Sequence, residues 1–184
     1  MKPYSDEEIL ALLKNENTYE RGFRMLMENY QERLYWQIRR MVLDHEDAND
    51  VLQNCFVKVY RSIHNFEGKS KLFTWLYRIA TNEAITFLNK KNKRQTTSMN
   101  HESLNLENKL SADPFFDGNR AQIKLQEALN TLPEKQKLVF NMRYFDEMSY
   151  QDISDVLGTS VGALKASFHH ASQKIEKYMR QVET

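Results

Sequence analysis

Apolar residues recur at steps of three and four through most of this chain, the spacing of helices that bury one side. Ser5-Asp6-Glu7-Glu8 reads as a capping box, with Ser5 as N-cap and Glu8 at the third helical position, leading into Ile9, Leu12 and Leu13. A long helix carries Phe23, Leu26, Met27, Tyr30, Leu34, Ile38 and Met41, and a second carries Leu52, Cys55, Phe56, Val59 and Ile63. Gly68 marks a break within His64 to Ser70. A third long helix runs from about Lys71 to Lys90, with Leu76, Ala80 and Phe87 as its inner stripe and Phe73 and Ala84 beside it. From Gln95 to about Gly118 the period stops, and Pro114 and Gly118 mark a linker in which Phe115 and Phe116 could dock. The pattern resumes with Ile123, Leu125 and Leu129. Pro133 then opens a helix near Glu134 whose stripe is Leu138, Met142 and Phe145. The expected fold is all-α: two small helical domains, 1–94 and 119–184, joined by a flexible linker over 95–118.

The second domain ends in a more specific arrangement. Ser149 to Asp152 has the form of another capping box, starting a short helix with Ile153 and Leu157; Gly158 can end it, and Thr159 or Ser160 can cap the next. Short helix, glycine turn and longer helix make a helix-turn-helix, with a plain helical hairpin as the alternative. Projected at about 100° per residue, Leu164, Phe168, Ala171, Ile175 and Tyr178 form the buried stripe of the last helix. Gly162, Lys165, Ala166, His169, His170 and Gln173 lie opposite. Small residues near the start let a helix sit deep in a major groove, and the longer polar ones reach base edges or phosphate.

Composition agrees with helices: five Gly and three Pro leave few tight turns. The single cysteine, Cys55, excludes an internal disulfide and a cysteine-rich zinc site, and points to a reducing cytoplasm. No stretch approaches the roughly 18 apolar residues of a membrane span, and MKPYSDEEIL lacks a signal's basic and apolar parts. The net charge of +1 hides an uneven distribution. Lys69, Lys71, Arg78, Lys90, Lys91, Lys93 and Arg94 face one acid, Glu83, between positions 69 and 94, whereas Asp44, Glu46, Asp47 and Asp50 cluster just upstream. Within the basic stretch, Lys71, Trp75, Arg78, Asn82, Ile85 and Asn89 share a helix face suited to phosphate contact and base stacking, although Trp75 is as readily a core residue. On the helix before it, Asp50, Gln53, Asn54, Val57 and Arg61 lie opposite the apolar stripe, and Val57 among polar groups could centre a protein contact. Catalysis finds no support: there is no phosphate-binding glycine loop and no nucleophile motif. The DHEDAND run fails as a calcium loop, with Asn49 where a glycine is needed and Cys55 where a glutamate is. Adjacent His169 and His170 point about 100° apart with no third ligand in view. Neither metal nor cofactor is expected.

The chain resembles the extracytoplasmic-function group of bacterial sigma factors over nearly its whole length. The resemblance is carried by Asp47-Ala48-Asn49-Asp50-Val51-Leu52-Gln53-Asn54-Cys55-Phe56, by Phe66-Glu67-Gly68 with Thr74 to Asn82, and by Leu132-Pro133 through Ser149-Tyr150-Gln151-Asp152-Ile153 to Val161-Gly162-Ala163-Leu164-Lys165. It implies that Asp50, Gln53 and Asn54, with Val57, meet core RNA polymerase. It implies that the His64 to Lys71 loop, which holds Lys69, captures a flipped minus-10 base near Lys71, Trp75, Arg78 and Asn82. Ser160, Gly162, Lys165, Ala166, His169, His170 and Gln173 would face the minus-35 element. Promoter-specific initiation and melting, an anti-sigma partner, and no catalysis of its own follow from the same resemblance. Ala166-Ser167 and His169-His170 stand where many members have serine and arginines, and Thr86 where an aspartate is frequent, so the promoter sequence stays open. A conventional helix-turn-helix regulator with a sensing or dimerising first domain, and a helical adaptor that binds only protein, are the competing readings.

Overall fold

A computed structural model describes residues 4–97 and 120–181, and the chain divides into two units between Arg94 and Gln95. Past Thr97, the expected linker and its Phe115 and Phe116 lie outside the described residues.

The first unit holds α1 (Asp6–Leu13), α2 (Tyr19–Val42), α3 (His45–Ser62), a 3-10 turn (Ile63–Asn65) and α4 (Leu72–Thr97). The capping box at α1 is complete: Ser5 Oγ accepts from the Glu8 amide at 3.2 Å, and the Glu8 carboxylate accepts from the Ser5 amide at 3.0 Å. Leu43, left-handed at φ 64°, ends α2, and the Asp44 carboxylate caps α3 by accepting from the amides of Glu46 and Asp47. Ile9, Leu26, Leu34, Ile38, Cys55, Val59, Leu76 and Ala80 are fully buried and make the core. Burial, and then Glu83, push the Cys55 thiol up to about 12, so it packs as a small apolar residue.

α4 buries more than the expected stripe. Leu72, Thr74, Tyr77, Thr81 and Ala84 are buried with Leu76 and Ala80, while Phe87 is only half-buried. The reason is that α4 packs on two helices. Gln37 on α2 donates to Thr81 Oγ1 at 2.6 Å, and Lys58 and Asp47 on α3 pair with Glu83 and Lys91. The helix also continues to Thr97, beyond the last apolar position of the pattern.

α1 and α2 meet where α2 has no side chain. A Cβ on Gly22 would stand 2.9 Å from Leu12 Cβ and 3.1 Å from the Leu13 backbone nitrogen. Alanine is the better helix former by about 1 kcal/mol, but here it would push two helices apart. Gly22→Ala is therefore expected to destabilise the first unit by about 1–2 kcal/mol. Urea unfolding followed by tryptophan fluorescence checks this; a more stable variant would show that α1 is loosely held.

The second unit holds α5 (Arg120–Asn130), α6 (Glu134–Tyr144), α7 (Tyr150–Leu157) and α8 (Val161–Gln181). Ala128, Leu129, Leu132, Phe140, Ala171 and Ile175 form one buried cluster, and Leu138, Val139, Met142, Ile153 and Leu164 are buried as well. Phe145 corrects the expected stripe of α6: it is 38% exposed, whereas Leu138 and Met142 are buried as expected. Phe145 still has a helical backbone, its amide donating to Asn141 O at 3.0 Å, but α6 ends at Tyr144 and the chain turns through Glu147 at φ 52°, so the core contact passes to the next apolar residue. Met148 is buried instead, its amide closing the turn onto Met142 O at 3.0 Å.

Lys137 lies along the same helix, its ammonium donating to Asn130 Oδ1 at 2.6 Å. Burial lowers it to about 8, against a smaller opposing pull from Glu134. The unfolded chain therefore holds this proton more tightly than the folded one. The charge opposes folding below pH 8, and that opposition fades as pH rises toward the ordinary lysine value near 10.5. Lys137→Met is expected to raise the melting temperature of the second unit at pH 7 and to shrink this alkaline gain, as thermal unfolding between pH 7 and 9.5 would show. An unchanged melting temperature at both pH values would mean that the ammonium is well solvated.

Candidate nucleic-acid interface and protein-docking groove

Two surfaces of the first unit stand out. Between α2 and α3 runs a groove of about 600 Å³, lined by Phe23, Met27 and Gln31 from one helix and by Leu52, Gln53, Phe56, Val57 and Tyr60 from the other. Its floor is aromatic: Phe23 meets Tyr60 edge-on at 5.0 Å, and the Tyr19 hydroxyl donates to Tyr60 O at 2.6 Å, fixing one end. Val57 and Tyr60 are 43% and 46% exposed, an unusual degree for two large apolar side chains side by side. Of the expected protein-contact residues, Gln53 and Val57 line this groove, whereas Asp50 and Asn54 are exposed on α3 outside its lining. Phe56 is buried, as its place on the apolar stripe requires, whereas Phe23, Met27 and Leu52 on the expected stripes are half-buried and open to the groove, and Tyr60 belongs to no expected stripe. Spacing does not reveal that the two helices splay enough to leave a trough.

Lys71, just before α4, and Arg78 and Asn82 on it are exposed on one side, as their spacing requires. Trp75 is half-buried, its ring 5.6 Å from Phe66 in the preceding loop. That contact resolves the two readings of Trp75 into something between them: the ring braces the loop and keeps an open edge. Gly68, at φ 73°, turns this loop, and Lys69 beside it is exposed and paired with Glu67. The loop thus hangs over the start of the cationic face.

In the second unit, Ser149 caps α7 by accepting from the Asp152 amide at 3.0 Å, and its hydroxyl donates to the Asp152 carboxylate at 2.6 Å. Gly158 ends α7 in the left-handed conformation, φ 63°, and Ser160 rather than Thr159 caps α8, accepting from the Ala163 amide at 3.4 Å. Leu164, Ala171 and Ile175 are buried, while Gly162, Lys165, Ala166, His169, His170 and Gln173 are exposed with Ser160 at their head. Around Gly162 nothing lies within 4 Å of where a Cβ would be, so this glycine leaves open space at the helix start. Tyr150, which the sequence did not single out, stands beside this surface with the Lys165 ammonium 5.9 Å from its ring and the Arg143 guanidinium 5.2 Å away.

Among the described residues no cluster of three or more His, Cys, Asp or Glu could hold a metal ion, and no helix is long and apolar enough to cross a membrane.

Comparison with known proteins bears on all three surfaces. Residues 26–94 match the family model for sigma-70 region 2, and residues 122–175 match that for sigma-70 region 4. The RNA polymerase sigma-H factor of Pseudomonas aeruginosa is 30% identical, over 87% of each chain. The extracytoplasmic-function sigma factor SigW of Bacillus subtilis is 27% identical, over 88% of this chain and 90% of its own. Among solved structures, the sigma factor RpoE in complex with the anti-sigma factor NepR from Bartonella quintana aligns with a TM-score of 0.72 at 21% identity, covering 86% of this chain and 96% of RpoE. CnrH, in complex with the cytosolic domain of CnrY, aligns at 0.70 and 20% identity, covering 96% and 97%. The α4 face and the groove apart from Phe23 fall within the first matched segment, and the exposed face of α8 falls within the second.

Proposed function

The chain belongs to the extracytoplasmic-function group of the sigma-70 family, non-catalytic factors that bind RNA polymerase and direct promoter-specific initiation, and we propose that its three surfaces divide this task among them. The α2–α3 groove, with Gln53 and Val57 in its lining and Asp50 and Asn54 beside it, takes the polymerase contact. Lys69, Lys71, Trp75, Arg78 and Asn82 hold the minus-10 strand. Ser160, Gly162, Lys165, Ala166, His169, His170 and Gln173 read the minus-35 duplex.

The observation that carries this reading is that one unit bears an apolar groove and, on a different helix, a face of cations, amides and an aromatic edge. A regulator that only read duplex DNA would need no such groove. Two weak readers gain affinity when polymerase holds both at a fixed spacing, which suits a chain of net charge +1 that binds DNA poorly alone. Melting then draws on unpaired bases held against α4 and its loop rather than on any catalysed step. An anti-sigma partner would act by covering the groove, and the RpoE neighbour is one such complexed sigma factor.

Transcription in vitro with core polymerase, on templates from the source genome, tests the whole proposal. Start-site-specific transcripts should appear only when the protein is added. Folded protein that yields none would refute it.

A further inference from the structure

We infer that the surface for unpaired DNA is two helices wide, and that Trp36, flanked by Arg33 and Arg40 on α2, is a second stacking platform beside the α4 face. The inference rests on the reading of α4 as the face that holds the open strand.

Three sides of α2 are accounted for by contacts. Gln37 and Tyr30 face α4, the first through Thr81 and the second through the Phe73 ring at 6.2 Å. Phe23, Met27 and Gln31 face the groove beside α3. Gly22 and Asn29 face α1 and the segment before it: Gly22 lies against Leu12 and Leu13, and the Asn29 amide exchanges two hydrogen bonds with the Tyr4 backbone, at 3.0 and 2.6 Å. Continued at about 100° per residue, the side that holds Gly22 and Asn29 passes through Trp36 and Arg40, with Arg33 at its edge, within an arc of about 60°. Those three positions lie further along α2 than the contacts with Tyr4, Leu12 and Leu13. Trp36 is 36% exposed, its ring meeting that of Tyr35 edge-on at 5.3 Å and leaving the rest of its open surface to solvent.

The same contacts fix what lies beside it. Phe73 stands at Tyr30 with Arg33 over its ring at 4.0 Å, and Thr81 stands at Gln37, so α2 and α4 run side by side in the same direction. Tyr77 and Thr81 turn α4 toward α2, and Glu83 and Lys91 turn it toward α3. What remains of α4 is the Lys71, Arg78 and Asn82 face, directed away from α3. The Arg33, Trp36 and Arg40 side of α2 is directed away from α3 too. The two stripes therefore adjoin on one side of the unit, Trp36 and Arg40 coming roughly level with the second and third turns of α4.

The occupant is named by chemistry. The joined surface carries the exposed Arg33, Lys71 and Arg78 with Arg40 half-buried at its edge, and the acid that borders Trp36 is Glu32, one turn before it. Cations that follow a backbone and aromatic rings at intervals are how single strands are held without sequence preference, each stacked base contributing about 1–3 kcal/mol. Duplex DNA would hide the faces of its bases from Trp36; an opened strand leaving the α4 face would not. Polymerase has the apolar groove on the far side of α2.

The test uses holoenzyme assembled from core polymerase and the full chain, with a forked promoter probe whose minus-10 strand is single and with the same promoter as full duplex. Trp36→Leu keeps an apolar side chain and removes the ring. It should weaken binding to the fork about tenfold while core affinity and thermal stability stay as in the wild type, and Trp36→Phe should recover most of the loss. Trp36→Leu binding the fork as well as wild type would overturn the inference. So would a loss of core affinity in its place, because the face would then belong to a protein. Absence of any promoter-specific transcript from wild-type holoenzyme is the separate result that removes the parent reading, and this inference with it.

Discussion

Val57→Asp should lower the affinity of the chain for core RNA polymerase by a hundredfold or more while leaving the fold intact. Val57 is 43% exposed in the α2–α3 groove, so the free protein can carry a carboxylate there in water. Aspartate and valine differ little as helix formers, and Arg61 one turn on can pair with the new charge. Once a partner closes over the groove, that carboxylate loses its water against Phe23, Met27 and Phe56, and desolvating it, even with Arg61 in the same lining, costs several kcal/mol. Gln53→Ala with Asn54→Ala removes hydrogen bonding without burying a charge, and about tenfold is expected from that pair. Titration of labelled core polymerase measures both, with thermal unfolding as the control. Wild-type core affinity in Val57→Asp would move the docking surface elsewhere, and the assignment of Gln53 with it.

The second large effect concerns stability, and it also asks whether the two units fold independently. Leu164 is 1% exposed on the inner face of α8. Leu164→Ala leaves a cavity where α8 packs on the rest of its unit, at a cost of about 2–5 kcal/mol, a large part of what a small domain has. Both tryptophans of the chain, Trp36 and Trp75, lie in the first unit. Tryptophan fluorescence therefore follows one unit, while far-ultraviolet circular dichroism follows both. Leu164→Ala should add an early helical transition by circular dichroism and leave the fluorescence midpoint where it was. If the fluorescence midpoint fell by a similar amount, the chain would be one cooperative body. In transcription assays the variant should fail at promoters that depend on the minus-35 element, since the exposed face of α8 is only as well placed as its buried one.

The surfaces differ in how they came to light. The α8 face was legible in the sequence, because a lone amphipathic helix after a glycine turn leaves one way to divide its residues: Leu164, Ala171 and Ile175 inward, Lys165, His169 and His170 outward. The α4 face was legible for the same reason, with Lys71, Arg78 and Asn82 exposed, but Trp75 was not. Whether an aromatic on a polar face is platform or core depends on what stands against it, here Phe66 from a loop with no period of its own. Phe145 keeps the helical direction of its period, and its exposure follows from the turn after it, which brings Met148 into the core instead.

By itself, then, the sequence determined an all-helical chain, its caps and turns, and the residues that each helix turns outward. These depend on dihedral preferences and on a repeat of 3.6 residues, both local properties. The resemblance in its motifs supplied the family. Only the tertiary structure decided how the helices meet. It decided that α2 and α3 leave a trough and that α4 buries Tyr77 and Thr81 against a second neighbour. Each of these turns on which sides of two helices touch, a choice made by packing between residues dozens of positions apart, and a one-dimensional period does not contain it.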